Sequence, residues 1–176
     1  MQPISAVEAL VAQNLTELES ANADLKGFTI SKVVEIPAGE KKDKKALIVF
    51  IPYHHLKSLQ ANYKKLALEL EKRLKTVVLL VSTRTIESRW IKFRKSQKRP
   101  NSRTLSAVYD SILDDLVLPG IIIGKNTRVR LDGSKFTKVV LDRADQPFLE
   151  DRVNAIRAAY KLLTILTLVF IILTNL

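Results

Sequence analysis

ALIVFIPYHHLKSLQANYKKLALELEKRLKTVVLLV, residues 46–81, decides the fold. Its first six residues are apolar and rich in β-branched and aromatic side chains, and Pro52 ends the run, which reads as a strand. Leu56, Leu59, Tyr63, Leu66, Leu70 and Leu74 then recur at steps of three or four, the spacing of one face of a helix. Residues 77–81, VVLLV, form a short unbroken apolar run of the kind expected in a strand covered on both faces. Strand, helix and strand in that order predict a right-handed βαβ unit with parallel strands.

Towards the N-terminus, residues 28–36 read as a second strand, joined to residues 46–51 by the charged loop PAGEKKDK, residues 37–44. Before it, Val7, Leu10, Val11, Leu15 and Leu18 fall at helical spacing, with Ser5 as cap and Glu8 three residues beyond. On the C-terminal side, Leu105, Val108, Ile112 and Leu116 mark a helix that ends before Pro119, with Ser102 or Thr104 placed to cap it. Residues 121–131 and 134–141 flank Asp132-Gly133, a pair suited to a two-residue hairpin turn. Leu149, Val153, Ile156, Tyr160 and Leu163 define a last helix, with Asp145 near its start. The apolar tail, residues 162–173, is shorter than the roughly 20 residues that span a bilayer, and residues 165–172 read as a buried strand rather than a membrane anchor. The expected fold is therefore α/β: one domain over residues 1–176, with a single mixed sheet containing the βαβ unit and the hairpin, flanking helices, and an extended basic arm at residues 84–103. No internal repeat or low-complexity stretch is visible.

Across the 176 residues, 29 Lys and Arg face 18 Asp and Glu, a net charge of +11. Such an excess implies a polyanionic partner, nucleic acid or an anionic membrane. The absence of cysteine excludes disulfides, thiolate nucleophiles and thiolate metal sites. The start MQPISAVEAL lacks the cationic and apolar regions of a secretory signal, so the expected compartment is cytosol or nucleus.

The charge is concentrated. Arg84, Arg89, Lys92, Arg94, Lys95, Lys98, Arg99 and Arg103 lie in the arm against Glu87 alone, eight cations to one acid, or +7. The run repels itself in isolation, and phosphates would remove that repulsion. Trp90 and Phe93, set among the cations, either stack on unpaired bases or anchor the arm to its own domain. In the hairpin, a two-residue turn places Arg130 opposite Lys135 and Arg128 near Lys135 and Lys138, with Lys125 on the same strand. Facing cations destabilise an isolated sheet unless a phosphate backbone, or water and salt, offsets them.

Signs of catalysis are weak. His54 and His55 are adjacent and point in different directions from either a strand or a helix, which disfavours a shared metal. Asp110, Asp114 and Asp115 read as the solvated side of their helix. Gly124-Lys125 lacks the glycine spacing of a phosphate-binding loop. No metal, cofactor, small-molecule substrate or reaction is expected.

The stretch QKRPNSRTLSAVYDSILDDLVLPGIIIGKNTRVRLDGSKFTKVVLD, residues 97–142, resembles the eukaryotic small-subunit ribosomal protein family conventionally numbered seven. The likeness extends through KKALIVFIPYHHLKSLQ and VAQNLTELES to cover roughly residues 5–163. It implies a structural component of the small (40S) subunit that binds 18S-type ribosomal RNA, contacts neighbouring ribosomal proteins and supports pre-ribosomal RNA maturation. It further implies a cytoplasmic ribosome reached through the nucleolus, and no catalysis. Carried onto matching positions, it assigns RNA contact to Lys98, Arg99 and Arg103, and by extension to Arg84, Arg89, Lys92, Arg94 and Lys95. Residues 83–96, TRTIESRWIKFRKS, keep the family's basic character with different letters, and the apolar tail departs from its charged ending. Two rival readings remain: a free RNA-binding regulatory protein, and a membrane-associated protein whose basic segment faces anionic lipid.

Overall fold

The computed structural model describes residues 6–21, 27–37, 45–88, 90–91, 98–164 and 167–172. In chain order they form α1 (Ala6–Ala21), β1 (Lys32–Pro37), β2 (Lys45–Ile51), α2 (Leu56–Leu74), β3 (Val77–Ser82) and α3 (Leu105–Val117). There follow β4 (Ile122–Val129), β5 (Lys135–Leu141), α4 (Gln146–Leu149), α5 (Val153–Thr164) and β6 (Thr167–Ile172). The Ser5 cap and most of the loop over residues 37–44 lie outside the described residues.

The strand–helix–strand reading of residues 46–81 matches the backbone: β2 and β3 pair in parallel, Ala46 opposite Val77 through Ile51 opposite Ser82, with α2 between them in the chain. β1 lies antiparallel on the other side of β2. Residues 28–31 precede that strand, and Phe28 is buried in the core beside α1 and α2. Leu47, Val49, Ile51, Val78 and Leu80 face α1 and α2, while Ala46, Ile48, Leu79 and Val81 share a core with α3, α5 and β5. Burial on both faces explains why β2 and β3 are continuously apolar.

The expected single sheet is corrected to two, ordered β1-β2-β3 and β4-β5-β6. Apolar periodicity marks which residues avoid water, but it does not say which strand edges pair. Here β5 turns Thr137, Val139 and Leu141 inward, and its free edge is taken by β6 in parallel, Phe136 opposite Thr167 through Leu141 opposite Ile172. The apolar tail is thus a strand over residues 167–172. No helix among the described residues is long and apolar enough to cross a membrane.

Both halves repeat one topology that the letters do not reveal: helix, antiparallel strand pair, helical crossover, parallel strand. The segment joining the halves is the basic stretch between β3 and α3. The last helix is also broken, with a 3-10 turn at Glu150–Arg152 between α4 and α5.

Tyr63, fully buried on α2, carries the clearest titration consequence. Burial pushes its phenol from the ordinary 10.0 up to about 12, Arg152 opposing the shift. The folded chain thus holds this proton more tightly than the unfolded chain. The corresponding stability is complete below pH 10 and is lost as pH rises towards 12. Urea midpoints of wild type and Tyr63→Phe should therefore converge on a constant offset below pH 10. Above it, wild type should fall faster.

Candidate nucleic-acid interface

The basic segment leaves β3 at Ser82 and enters α3 through a 3-10 turn at Asn101–Arg103. Two sets of contacts bring its ends together. At the inner set, Asp115 of α3 is only 2% exposed. The Ser82 backbone N–H donates to Asp115 Oδ2 at 3.2 Å, the Ser82 hydroxyl donates to the same oxygen, and Arg84 Nη2 lies 3.0 Å from both carboxylate oxygens. The Arg84 guanidinium also lies 5.5 Å from the Tyr53 ring centroid. A buried carboxylate is costly unless it is paired and hydrogen-bonded, and these donors satisfy it. Asp115 is therefore not on the solvated side of its helix.

At the outer set, the Glu87 N–H donates to the Arg103 carbonyl at 3.0 Å, and Arg103 Nη1 reaches Glu87 Oε1 at 2.5 Å. Arg99 Nη2 adds a bond to the Arg103 carbonyl at 3.2 Å. Thr104 stands at the N-cap of α3 but donates its hydroxyl to Asn101, so neither it nor Ser102 caps the helix by a side-chain bond. Lys98 is exposed, and Trp90 is 73% exposed. Arg89, Lys92, Phe93, Arg94 and Lys95 lie outside the described residues.

The hairpin departs from its expected register. Arg130 N–H donates to Ser134 O at 2.9 Å, Gly133 N–H to Arg130 O at 3.0 Å, and only Gly133 has positive φ (81°). The loop is therefore three residues, Leu131-Asp132-Gly133, ending in a left-handed glycine. That extra residue shifts every pair: Lys135 faces Val129, Arg128 faces Phe136 and Lys138 faces Asn126. No two cations face each other directly, which removes the repulsion expected of a two-residue turn.

By strand alternation Arg128, Arg130, Phe136 and Lys138 share the outer face, and the Arg130 guanidinium lies 5.3 Å from the Phe136 ring centroid. Lys125 lies on the other face and is drawn to Asp114 of α3 at 2.7 Å. Lys135, at the hairpin end, is exposed. Charge counting overlooked Ile121, Ile123, Val129 and Leu131, all exposed along the edge strand β4 and its turn.

Elsewhere, a cavity of about 380 Å³ lies between α2 and residues 147–152. Arg152 on its wall donates to Glu71 at 2.6 Å and stacks 3.7 Å from the Phe148 centroid, so the two opposite charges satisfy one another. The His54 and His55 rings are not splayed as expected but sit 4.0 Å apart in a 3-10 turn. Among the described residues no group of three His, Asp or Glu could hold a metal.

These features describe a strongly cationic α/β protein that presents arginine and lysine on a clamped connection and one hairpin face. The chain belongs to the ribosomal protein S7e family, whose model matches residues 1–172. It is 42% identical over 163 residues to the small ribosomal subunit protein eS7 of Dictyostelium discoideum, covering 89% of this chain and 83% of that one. It is 43% identical over 165 residues to eS7 of Drosophila melanogaster, with the same two coverages. With eS7z of Arabidopsis thaliana it shares 40% over 169 residues, 92% of this chain and 85% of that one.

Two outcomes follow from this geometry. The single tryptophan should emit at the red-shifted wavelength of indole in water and be quenched readily by acrylamide. Gly133→Ala should destabilise the protein by about 1 to 2 kcal/mol in urea melts, because alanine resists the left-handed region. Gly124→Ala, which meets open space without a positive φ, should not.

Proposed function

We propose that this chain is a structural constituent of the small ribosomal subunit, acting as one unit over residues 1–176 and holding small-subunit ribosomal RNA through its cations without catalysing a reaction. The observation that carries the reading is the concentration of charge: +7 on residues 84–103, at the connection between two repeated halves, in a chain of the S7e family. Guanidinium groups bind phosphate oxygens in pairs, and counterion release makes such contacts favourable. Phosphate contact falls to Arg89, Lys92, Arg94, Lys95, Lys98 and Arg99 of the arm, and to Arg128, Arg130, Lys135 and Lys138 of the hairpin. Lys125, committed to Asp114, contributes less. Trp90 and Phe93 stack on unpaired bases.

The exposed apolar side chains of β4 suit contact with neighbouring ribosomal proteins, since unburied apolar surface of this kind is usually covered. The protein resides in cytoplasmic ribosomes, passes through the nucleolus during assembly and supports pre-ribosomal RNA processing.

The test is binding of purified small-subunit ribosomal RNA across a salt series. Log affinity should fall with log salt by about 0.7 to 0.9 per phosphate neutralised, and replacing Arg94, Lys95, Lys98 and Arg99 together should flatten the slope by roughly four such increments. An unchanged slope refutes the role of the arm. In sucrose gradients the protein should sediment with the small subunit. Persistence in light fractions would instead favour a free RNA-binding protein.

A further inference from the structure

The geometry points to Arg84, Asp115, Glu87 and Arg103 as a two-rung clamp that positions the basic arm for RNA, with the two arginines serving as positioning residues rather than phosphate contacts. The inference rests on the RNA-binding reading above and gives a role to the two arm arginines that reading leaves without a phosphate.

The inner rung ties the end of β3 to the last turn of α3. Asp115 receives the Ser82 N–H, the Ser82 hydroxyl and the Arg84 guanidinium, and Arg84 itself is mostly buried, its side chain 17% exposed. A guanidinium committed to a buried carboxylate has little to offer a phosphate, because leaving would strand that charge. The outer rung crosses the arm once more: Glu87 and Arg103 exchange a backbone bond and a side-chain bond, 16 residues apart in the chain.

Together the rungs close residues 88–102 into a loop of fixed ends. Closing a loop before binding removes conformational entropy that the complex would otherwise have to supply. Glu87 is the arm's only acid. Its place in the outer rung explains why a negative charge sits within a segment otherwise built to attract phosphate.

Charge and clamp make opposite predictions, which provides the test. Asp115→Asn and Glu87→Ala each raise the net positive charge. By electrostatics alone both should bind RNA more tightly. By the clamp, each should bind purified small-subunit ribosomal RNA about tenfold more weakly at fixed salt, with the wild-type slope of log affinity against log salt. Arg84→Gln should weaken binding without changing the slope, and combining it with Asp115→Asn should add nothing, whereas Lys98→Gln should lower the slope by about one phosphate's worth.

Wild-type or tighter binding by both acid variants overturns the clamp, as does a reduced slope for Arg84→Gln or Arg103→Gln. Arg103→Gln alters a side chain that is 53% exposed, so the test stands even if an acid variant fails to fold. A wild-type protein whose binding ignores salt would overturn the functional reading instead. The clamp is then judged on the protein alone by hydrogen exchange at the Glu87 amide: several-fold acceleration in Arg103→Gln retains it, and wild-type protection overturns it.

Discussion

A carboxylate cut off from water must find hydrogen-bond donors nearby, and Asp115 finds them on the neighbouring strand end. The residues that satisfy it, Ser82 and Arg84, belong to the close of the first half of the chain, while Asp115 belongs to the opening helix of the second. One buried charge therefore fixes how the connection leaves the fold. Because α3 also lies in the core shared by the first sheet, α5 and β5, the exit point of the basic segment is set by the same packing that holds the two halves together.

The repeated topology gives that placement its meaning. Each half closes a strand–helix–strand crossover by pairing two strands in parallel. The longest connection is the one between halves, and dense positive charge strains a connection far less than it would strain a core strand. The hairpin supplies the second cationic surface by a different device, strand alternation, which sends Arg128, Arg130 and Lys138 outward while Thr137, Val139 and Leu141 stay inside.

Part of the site was legible in the letters. Charge density marked residues 84–103 as the most cationic connection, and the hairpin strands were correctly placed. Asp115 also carried a readable signal, since it falls seven residues after Val108, on the apolar face of its helix rather than opposite it. What misled was residue type: three aspartates close together look solvated, yet Asp110 and Asp114 are exposed and Asp115 is not. The hairpin register failed for a comparable reason. Asp-Gly suits a two-residue turn, but the chain uses only the glycine's left-handed conformation and adds Leu131 to the loop, displacing every cross-strand pair.

The sequence by itself determined the elements: which stretches are helix or strand, that β2 and β3 run parallel, and that positive charge collects between them and the hairpin. These follow from local periodicity and composition, which neighbours a few residues apart decide. Only the tertiary structure decided that the strands divide into two sheets, that the tail pairs with β5, and that Arg84, Arg103 and Lys125 are held by Asp115, Glu87 and Asp114. Those outcomes depend on edges and charges distant in the chain. Their pairing is selected by which arrangement covers the most apolar surface while leaving no buried charge without a partner.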